Sequence, residues 1–240
     1  IGQLMKPSYN SQLVLNLGPR LDARLSDFAG PHWAAIISAI NELLNGVSER
    51  CFVYGEPDTG KTHLLAAACE AYSEQGYTTV LLSLRELLAS KSPDSLESLE
   101  NYQLIALDDI EVIQQHDDWQ EALFHLLNRA QENQTRILLA ARASPTQLGL
   151  QLPDLVSRLS QAACFHIPNG EDEIDRHAVL LAALGRRNIH LEADVIRYLL
   201  IKGPRYTGLL LKHLSYLEEV ALQQRKKLTL HFVKQLTESL

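Results

Sequence analysis

The sequence predicts an α/β fold: a parallel sheet covered by helices on both faces, followed by a small all-α unit. Three observations carry this reading. Short apolar, β-prone runs alternate with helical spacings up to residue 168. Those runs are apolar on both faces, as strands buried between two helical layers are. Beyond Pro168-Asn169-Gly170 only helical patterns remain. The chain of 240 residues is 46% hydrophobic, which is enough to bury such a core and excludes a disordered protein.

The elements follow in order. Residues 50–54 (RCFVY) form an apolar run that stops at Gly55 and reads as a buried strand. Residues 61–75 place Leu64, Leu65, Ala68, Cys69 and Tyr72 at helical spacing, and Gly76 ends that helix. Residues 78–84 (TTVLLSL) form a second strand, and residues 102–107 (YQLIAL) a third, closed by Asp108-Asp109. A helix over 119–131 carries Leu123, Leu126, Leu127 and Ala130 on one face, with Asp117-Asp118 as its cap. Residues 136–141 (RILLAA) and 163–167 (ACFHI) complete the sheet. After the break, helical patterns cover 171–184, 192–202, 206–224 and 230–237.

Between the first strand and its helix lies Gly55-Glu56-Pro57-Asp58-Thr59-Gly60-Lys61-Thr62, which fits G-x-x-x-x-G-K-[ST] in its confirming context. The glycines permit backbone angles that turn several N–H groups onto one anion. The helix N-terminus adds its positive dipole end. Lys61 supplies a charge for the β- and γ-phosphates, and Thr62 a hydroxyl for Mg²⁺. The loop and the start of its helix, through His63, are the expected nucleotide-binding segment for ADP or ATP. Asp108, at the end of a buried strand, is the expected partner for Mg²⁺, and Asp109 is placed to orient an attacking water. His63, His125 and His166 show no metal-binding spacing, and no metal beyond Mg²⁺ is expected.

Two kinds of phosphate-loop protein compete. A small-molecule kinase would insert an Arg-rich lid between strands and lack a helical unit after the sheet. An ATP-driven switch or motor of the AAA+ kind has such a unit. Three runs then resemble the DnaA branch of AAA+ proteins: Asp108-Asp109-Ile110-Glu111, residues 152–159 (LPDLVSRL) and residues 228–234 (LTLHFVK). The resemblance covers roughly residues 25–240 and is greatest to the regulatory inactivators homologous to DnaA, the Hda family. It implies an AAA+ P-loop NTPase domain over 25–168, a helical lid over 169–240 and a flexible tail over 1–24. In that family an N-terminal peptide of type Q-L-x-L-(x)-L/F docks on the DNA polymerase sliding clamp, and the clamp-bound protein promotes ATP hydrolysis by ATP-loaded DnaA. The stretch QLVLNL matches, with Gln12, Leu13, Leu15 and Leu17 as the clamp-binding residues. Gly18-Pro19 behind it discourages strand continuation.

The resemblance further implies that Arg158 is an arginine finger acting in trans on the nucleotide of DnaA. It also marks two departures. The family's polar sensor, typically Asp, aligns near Arg142, which either approaches phosphate or faces solvent. The family's lid arginine aligns with Gly208, so either Arg205 three residues earlier substitutes or the lid lacks that contact. Weak intrinsic ATPase follows as an expectation. Adenine in such folds packs just before the first helix, where Phe28 is the candidate, core packing being its alternative. The competing function within this fold is a loader or motor driven by its own hydrolysis.

The formal charge is −7, about −9 before residue 169 and about +2 after it. That balance disfavours non-specific duplex binding, which depends on Lys and Arg displacing counterions. The resemblance also omits the initiator's C-terminal helix-turn-helix, so direct sequence-specific DNA binding is not expected. No apolar run reaches the length of a membrane span, and no secretory signal opens the chain. Three widely spaced cysteines fit a reducing cytoplasm. Beyond the clamp and DnaA, self-association into a homo-oligomer is a further possible partnership.

Overall fold

The structure is a computed structural model in which residues 23–237 are described. The clamp-peptide residues Gln12, Leu13, Leu15 and Leu17 lie outside them. Five strands form one sheet in the order β2-β3-β4-β1-β5, with β1 Arg50–Tyr54, β2 Thr79–Ser83, β3 Leu104–Asp108, β4 Arg136–Ala141 and β5 Ala163–His166. Every pairing is parallel, and β1 is zipped between β4 (Cys51 opposite Leu138) and β5 (Cys51 opposite Ala163). The helices are α1 Pro31–Leu44, α2 Lys61–Glu74, α3 Leu84–Ser90, α4 Asp117–Glu132, α5 Pro153–Ser160, α6 Glu173–Arg186, α7 Ala193–Lys202, α8 Thr207–Gln224 and α9 Leu230–Thr237. None of the described helices is long and apolar enough to cross a membrane.

The central strands explain why their sequence shows no polar alternation. Cys51 and Val53 of β1 face one core, with Leu104 and Ala106 of β3 and Leu138 and Ala140 of β4. Phe52, Ile105, Leu107, Ile137 and Leu139 face the other. Successive side chains point to opposite faces, and both faces are covered, so every position is apolar. The edges depart from this. In β2 the residues alternate between half-buried and buried, and Ala163, Cys164 and His166 of β5 are exposed, because an edge strand has only one neighbour to cover it.

Two local readings are corrected by the structure. The third strand runs 104–108 and takes in Asp108, which places that carboxylate on the sheet itself. The residue capping α4 is His116, with Asp117 and Asp118 inside the first turn, where their charge complements the helix dipole; Trp119 is core as expected. The sequence reading has no helix at α3, although Leu84, Leu87 and Leu88 stand at helical spacing, because its seven residues follow directly on the strand. That helix starts because the Ser83 hydroxyl accepts from Glu86 N–H at 3.4 Å.

The all-α segment α6–α9 shares the first core: Val179, Leu180, Leu210 and Leu214 pack in one cluster with Trp33, Leu64 and Tyr72. Polar ties reinforce the seam. Arg186 Nε lies 2.7 Å from the fully buried Asp27 carboxylate. Asp175 takes His32 Nδ1 at 2.6 Å and its backbone N–H at 3.2 Å. The backbone N–H of Gly208 donates to the Asp58 carbonyl at 3.0 Å, joining α8 directly to the loop after β1.

Candidate functional site

That loop is built from residues whose backbone turns the wrong way for most side chains. Asp58 and Gly60 have φ of +63° and +107°, in the left-handed region. Thr59 between them is fully buried, and its hydroxyl closes the turn by donating to the Glu56 carbonyl at 2.9 Å. Loops with left-handed residues placed in this way before a helix N-terminus are the kind that gather backbone N–H groups around an anion. Lys61 folds back, and its ammonium donates to the carbonyls of Gly55 and Glu56 at 2.7 Å each.

A cleft of about 420 Å³ opens over the loop, lined by Pro57, Asp58, Gly60, Lys61, Thr62 and His63 on one side. The wall from β2, β3 and β4 brings Arg85, Asp108, Asp109, Glu111 and Arg142. The third wall is α8, through Gly208 and Lys212. At the cleft floor the Thr62 hydroxyl donates to Asp108 Oδ2, while the Asp109 N–H donates to Asp108 Oδ1 at 2.8 Å. Burial pushes the Asp108 pKa up, with the Thr62 hydrogen bond pulling the other way. Burial pushes the Lys61 ammonium down, opposed first by Asp108. Burial drives His63 down to about 4, helped by Lys212 and Arg187, so its imidazole is neutral at pH 7.

The sequence-derived candidates fall into four groups. The loop residues, Asp108 and Asp109 converge. Asp109 sits at φ +60°, and both its oxygens are engaged, by Ser83 Oγ at 2.8 Å and Arg85 Nη2 at 3.1 Å. Arg142 lines the cleft with its side chain exposed, and its Nε pairs with Glu111 at 3.1 Å, so it stands at the cleft mouth between the two alternatives read from the sequence. Phe28 is buried against Trp33, with ring centroids 4.9 Å apart, and lies under Gly60, whose added Cβ would come 3.6 Å from its ring. Arg205 and Arg158 do not line the cleft. Arg205 is exposed, and its carbonyl packs on Gly170, where an added Cβ would lie 2.1 Å away.

Four cleft residues were given no site role by the sequence reading: Arg85, Glu86, Glu111 and Lys212. Arg85 and Glu86 enter through α3, which has no motif for the role, and Glu111 closes the run 108–111 that carries the resemblance but was assigned no contact. Lys212 had a usable signal: it follows Gly208 by four residues on the same helix, hence on the same face. Gly208 itself has a steric reason. A Cβ there would lie 2.6 Å from the Asp58 carbonyl oxygen and 2.9 Å from the Gly60 nitrogen. A side chain at 208 would push α8 off the loop, so the cation of this wall stands one turn later.

With this geometry in place, similarity to known proteins is decisive. Residues 32–164 match the bacterial DnaA ATPase domain, more than half of the chain. The chain belongs to the DnaA ATPase family. Residues 172–237 match the lid domain of Hda, so the α6–α9 segment is an Hda-type lid on a DnaA-type AAA+ core. A Haemophilus influenzae protein described only as uncharacterized is 30% identical over 229 residues, covering 95% of this chain and 98% of its own length. Among solved structures, domain III of Thermotoga maritima DnaA superposes with a TM-score of 0.73 at 19% identity, covering 90% of this chain and 95% of that one. AMPPCP-bound DnaA from Aquifex aeolicus superposes with a TM-score of 0.67 at 24% identity, covering 85% of this chain and 66% of that one. Those likenesses establish the fold.

The groups present fit a polyphosphate and a divalent cation. Backbone N–H groups of the loop, Lys61 and Lys212 can hold phosphate oxygens, and the Thr62 hydroxyl beside the Asp108 carboxylate is an oxygen-only pair of the kind Mg²⁺ takes.

Proposed function

We propose that the protein is a negative regulator of replication initiation. The segment 1–24 docks it on the sliding clamp through Gln12, Leu13, Leu15 and Leu17. The AAA+ unit 25–168 and the lid 169–240 together hold ADP or ATP as a conformational switch, and Arg158 stimulates hydrolysis of ATP bound to DnaA. The setting is the cytoplasm. One observation carries the reading. Arg158 lies outside its own cleft, half-buried on α5, with no carboxylate within 4.0 Å of it among the described residues. A cation that cannot reach its own nucleotide and is not neutralised locally is suited to a neighbour's. There it stabilises charge spreading over the transferring phosphoryl group, an effect worth roughly 10³–10⁵ in rate.

The chain's own cleft reads as a holding site. When bound, Mg²⁺ would neutralise phosphate charge beside Thr62 and Asp108. Asp109, the candidate for orienting water, is held at both oxygens by Ser83 and Arg85, which suits a switch with weak turnover. The backbone N–H groups of the loop and Lys61 bind and orient the phosphates. The docking of Gly208 on Asp58 couples the loop to the lid.

The test is ATP turnover by DnaA in the presence of DNA-loaded clamp, with wild type and with Arg158→Ala. Stimulation surviving in the variant would remove the finger. A clamp pull-down of Gln12→Ala beside wild type, with and without ADP, tests the docking peptide, and equal capture would remove that part. A second reading is a loader or motor on its own cycle, favoured by the complete phosphate loop with Asp108-Asp109 at the strand end. Rapid hydrolysis by the isolated protein together with a hexamer in solution would select it.

A further inference from the structure

The surroundings of Arg158 differ in kind from those of the other guanidiniums that carry ion pairs. Arg24, Arg85, Arg129, Arg142 and Arg186 each have a carboxylate partner. Arg158 has amide oxygens. Nη2 donates to Asn128 Oδ1 at 2.5 Å, and Nη1 donates to Gln131 Oε1 at 2.9 Å and Gln161 Oε1 at 3.2 Å. Asp154, one turn earlier on α5, forms no ion pair with it.

The same two glutamines serve a second guanidinium. Arg50, at the first position of β1 and 8% exposed, donates to Gln131 Oε1 at 2.8 Å and to Gln161 Oε1 at 3.5 Å. Burial and then the charge of Arg158 push the Arg50 pKa down. Two guanidiniums converging on shared acceptors would ordinarily be met by a carboxylate, since charge-assisted pairs are the stronger ones and a half-buried cation is costly unpaired. Here both shared acceptors are neutral. An amide orients a guanidinium through the same oxygen geometry as a carboxylate, yet leaves its charge uncompensated.

We propose that Asn128, Gln131 and Gln161 form a neutral cradle that aims Arg158 while preserving its full charge for an anionic phosphoryl group on a partner, and that Gln131 is the positioning residue that sets this state. Arg50 fixes Gln131 from beneath and adds to the local positive potential. The proposal rests on the finger reading of Arg158 given above. It makes the face around α5 and the C-terminal end of α4 a surface for a phosphate-bearing partner, and it makes neutrality at position 131 a requirement of function.

The decisive variant is Gln131→Glu, which keeps shape and acceptor geometry and supplies the missing carboxylate. Its melting temperature should equal or exceed that of wild type, and its own ADP affinity should be unchanged. Its stimulation of DnaA hydrolysis with loaded clamp should fall at least about tenfold, part of what an arginine finger supplies. A merely structural role for Gln131 makes activity follow stability, so a Gln131→Glu protein that is stable and within twofold of wild-type stimulation overturns the cradle. Gln161→Glu carries the same expectation and the same overturning result should the first variant fold poorly. Arg158→Ala is run alongside. If it retains stimulation, the finger reading has failed. If it loses stimulation while Gln131→Glu keeps it, only the cradle has failed.

Discussion

Two arginine-bearing regions of this molecule treat charge in opposite ways. In the cleft, Arg85 and Arg142 lie against Asp109 and Glu111, and the carboxylates are occupied as fully as the cations. Elsewhere, Arg158 on α5 and Arg50 at the start of β1 donate to side-chain amides. The first arrangement is nearly neutral before any ligand arrives, which suits a site that holds a nucleotide and changes shape around it. The second keeps a net positive charge at a surface, which has use only if something negative is brought to it. Under the proposed function, the difference separates the cleft that would hold this chain's own nucleotide from the residue that would act on a partner's.

The largest expected effect breaks or keeps that contrast outright. Arg158→Ala should lower clamp-dependent stimulation of DnaA hydrolysis by roughly 10³ or more, with ADP affinity of the variant unchanged. A loss below tenfold in a steady-state phosphate-release assay would mean that the uncompensated charge is not the acting group.

The next prediction probes how strongly burial, and after it the nearby cations, weigh on a histidine of the cleft wall. His63 is buried beside Lys212 and Arg187 with its pKa lowered to about 4 against an unfolded value of 6.5. Between those values the unfolded chain binds the extra proton, so stability is fully present above about pH 6.5 and is lost as pH falls toward 4. The loss amounts to about 3 kcal/mol. Asp108, whose pKa is raised, works in the opposite sense, so the contrast with His63→Gln isolates the histidine. Urea unfolding at pH 7 and pH 4.5 should show a steeper decline for wild type than for the variant. Parallel declines would show that burial and the neighbouring cations do not depress this ring's pKa.

A third prediction concerns the lid wall. Gly208→Val would place a Cβ 2.6 Å from the Asp58 carbonyl, so α8 must shift or the loop must. Overpacking of this kind costs about 1–3 kcal/mol. Thermal unfolding should register it, and nucleotide titration should show weaker binding because the loop and lid no longer dock. A variant with wild-type affinity would sever the link between lid position and cleft.

The smallest effect is expected where charge is already balanced at the surface. Arg85 is half exposed, so Arg85→Ala should change stability by less than about 1 kcal/mol. A larger loss in chemical denaturation would show that the cleft network is stiffer than its exposure suggests.

Much of the architecture was legible from local chemistry. The glycines at 55 and 60 with Lys61 and Thr62, set between an apolar run and a helical spacing, identify the phosphate loop, because no other local arrangement needs those residues in that order. The two-faced apolar runs 50–54, 104–107 and 136–141 identify the central strands, because a strand covered on both sides has no polar face to show. Arg85 was not legible as a cleft residue, since it reaches the cleft from a short helix without a site motif, and Glu111, though part of the run 108–111, reaches it from a turn whose sequence does not fix where the side chain goes. Arg205, nearest in sequence to the absent lid arginine, stays outside the cleft lining, while Lys212 lines it. The contact is decided by which helical face meets the loop.

By itself the sequence determined the five strands, the helices α2 and α4 and the all-α segment after the sheet, the phosphate loop, the carboxylates after β3 and the resemblance of residues 152–159 to a DnaA-type finger segment, while α1, α3 and α5 went unread. Each feature that was read is written within a few neighbouring residues. Only the tertiary structure decided that Gly208 is pressed against Asp58, that Asp109 is held by Arg85, and that Arg158 rests on amides rather than on Asp154. These are contacts between elements far apart in the chain, and whether a charge is paired is a property of what the fold brings near it.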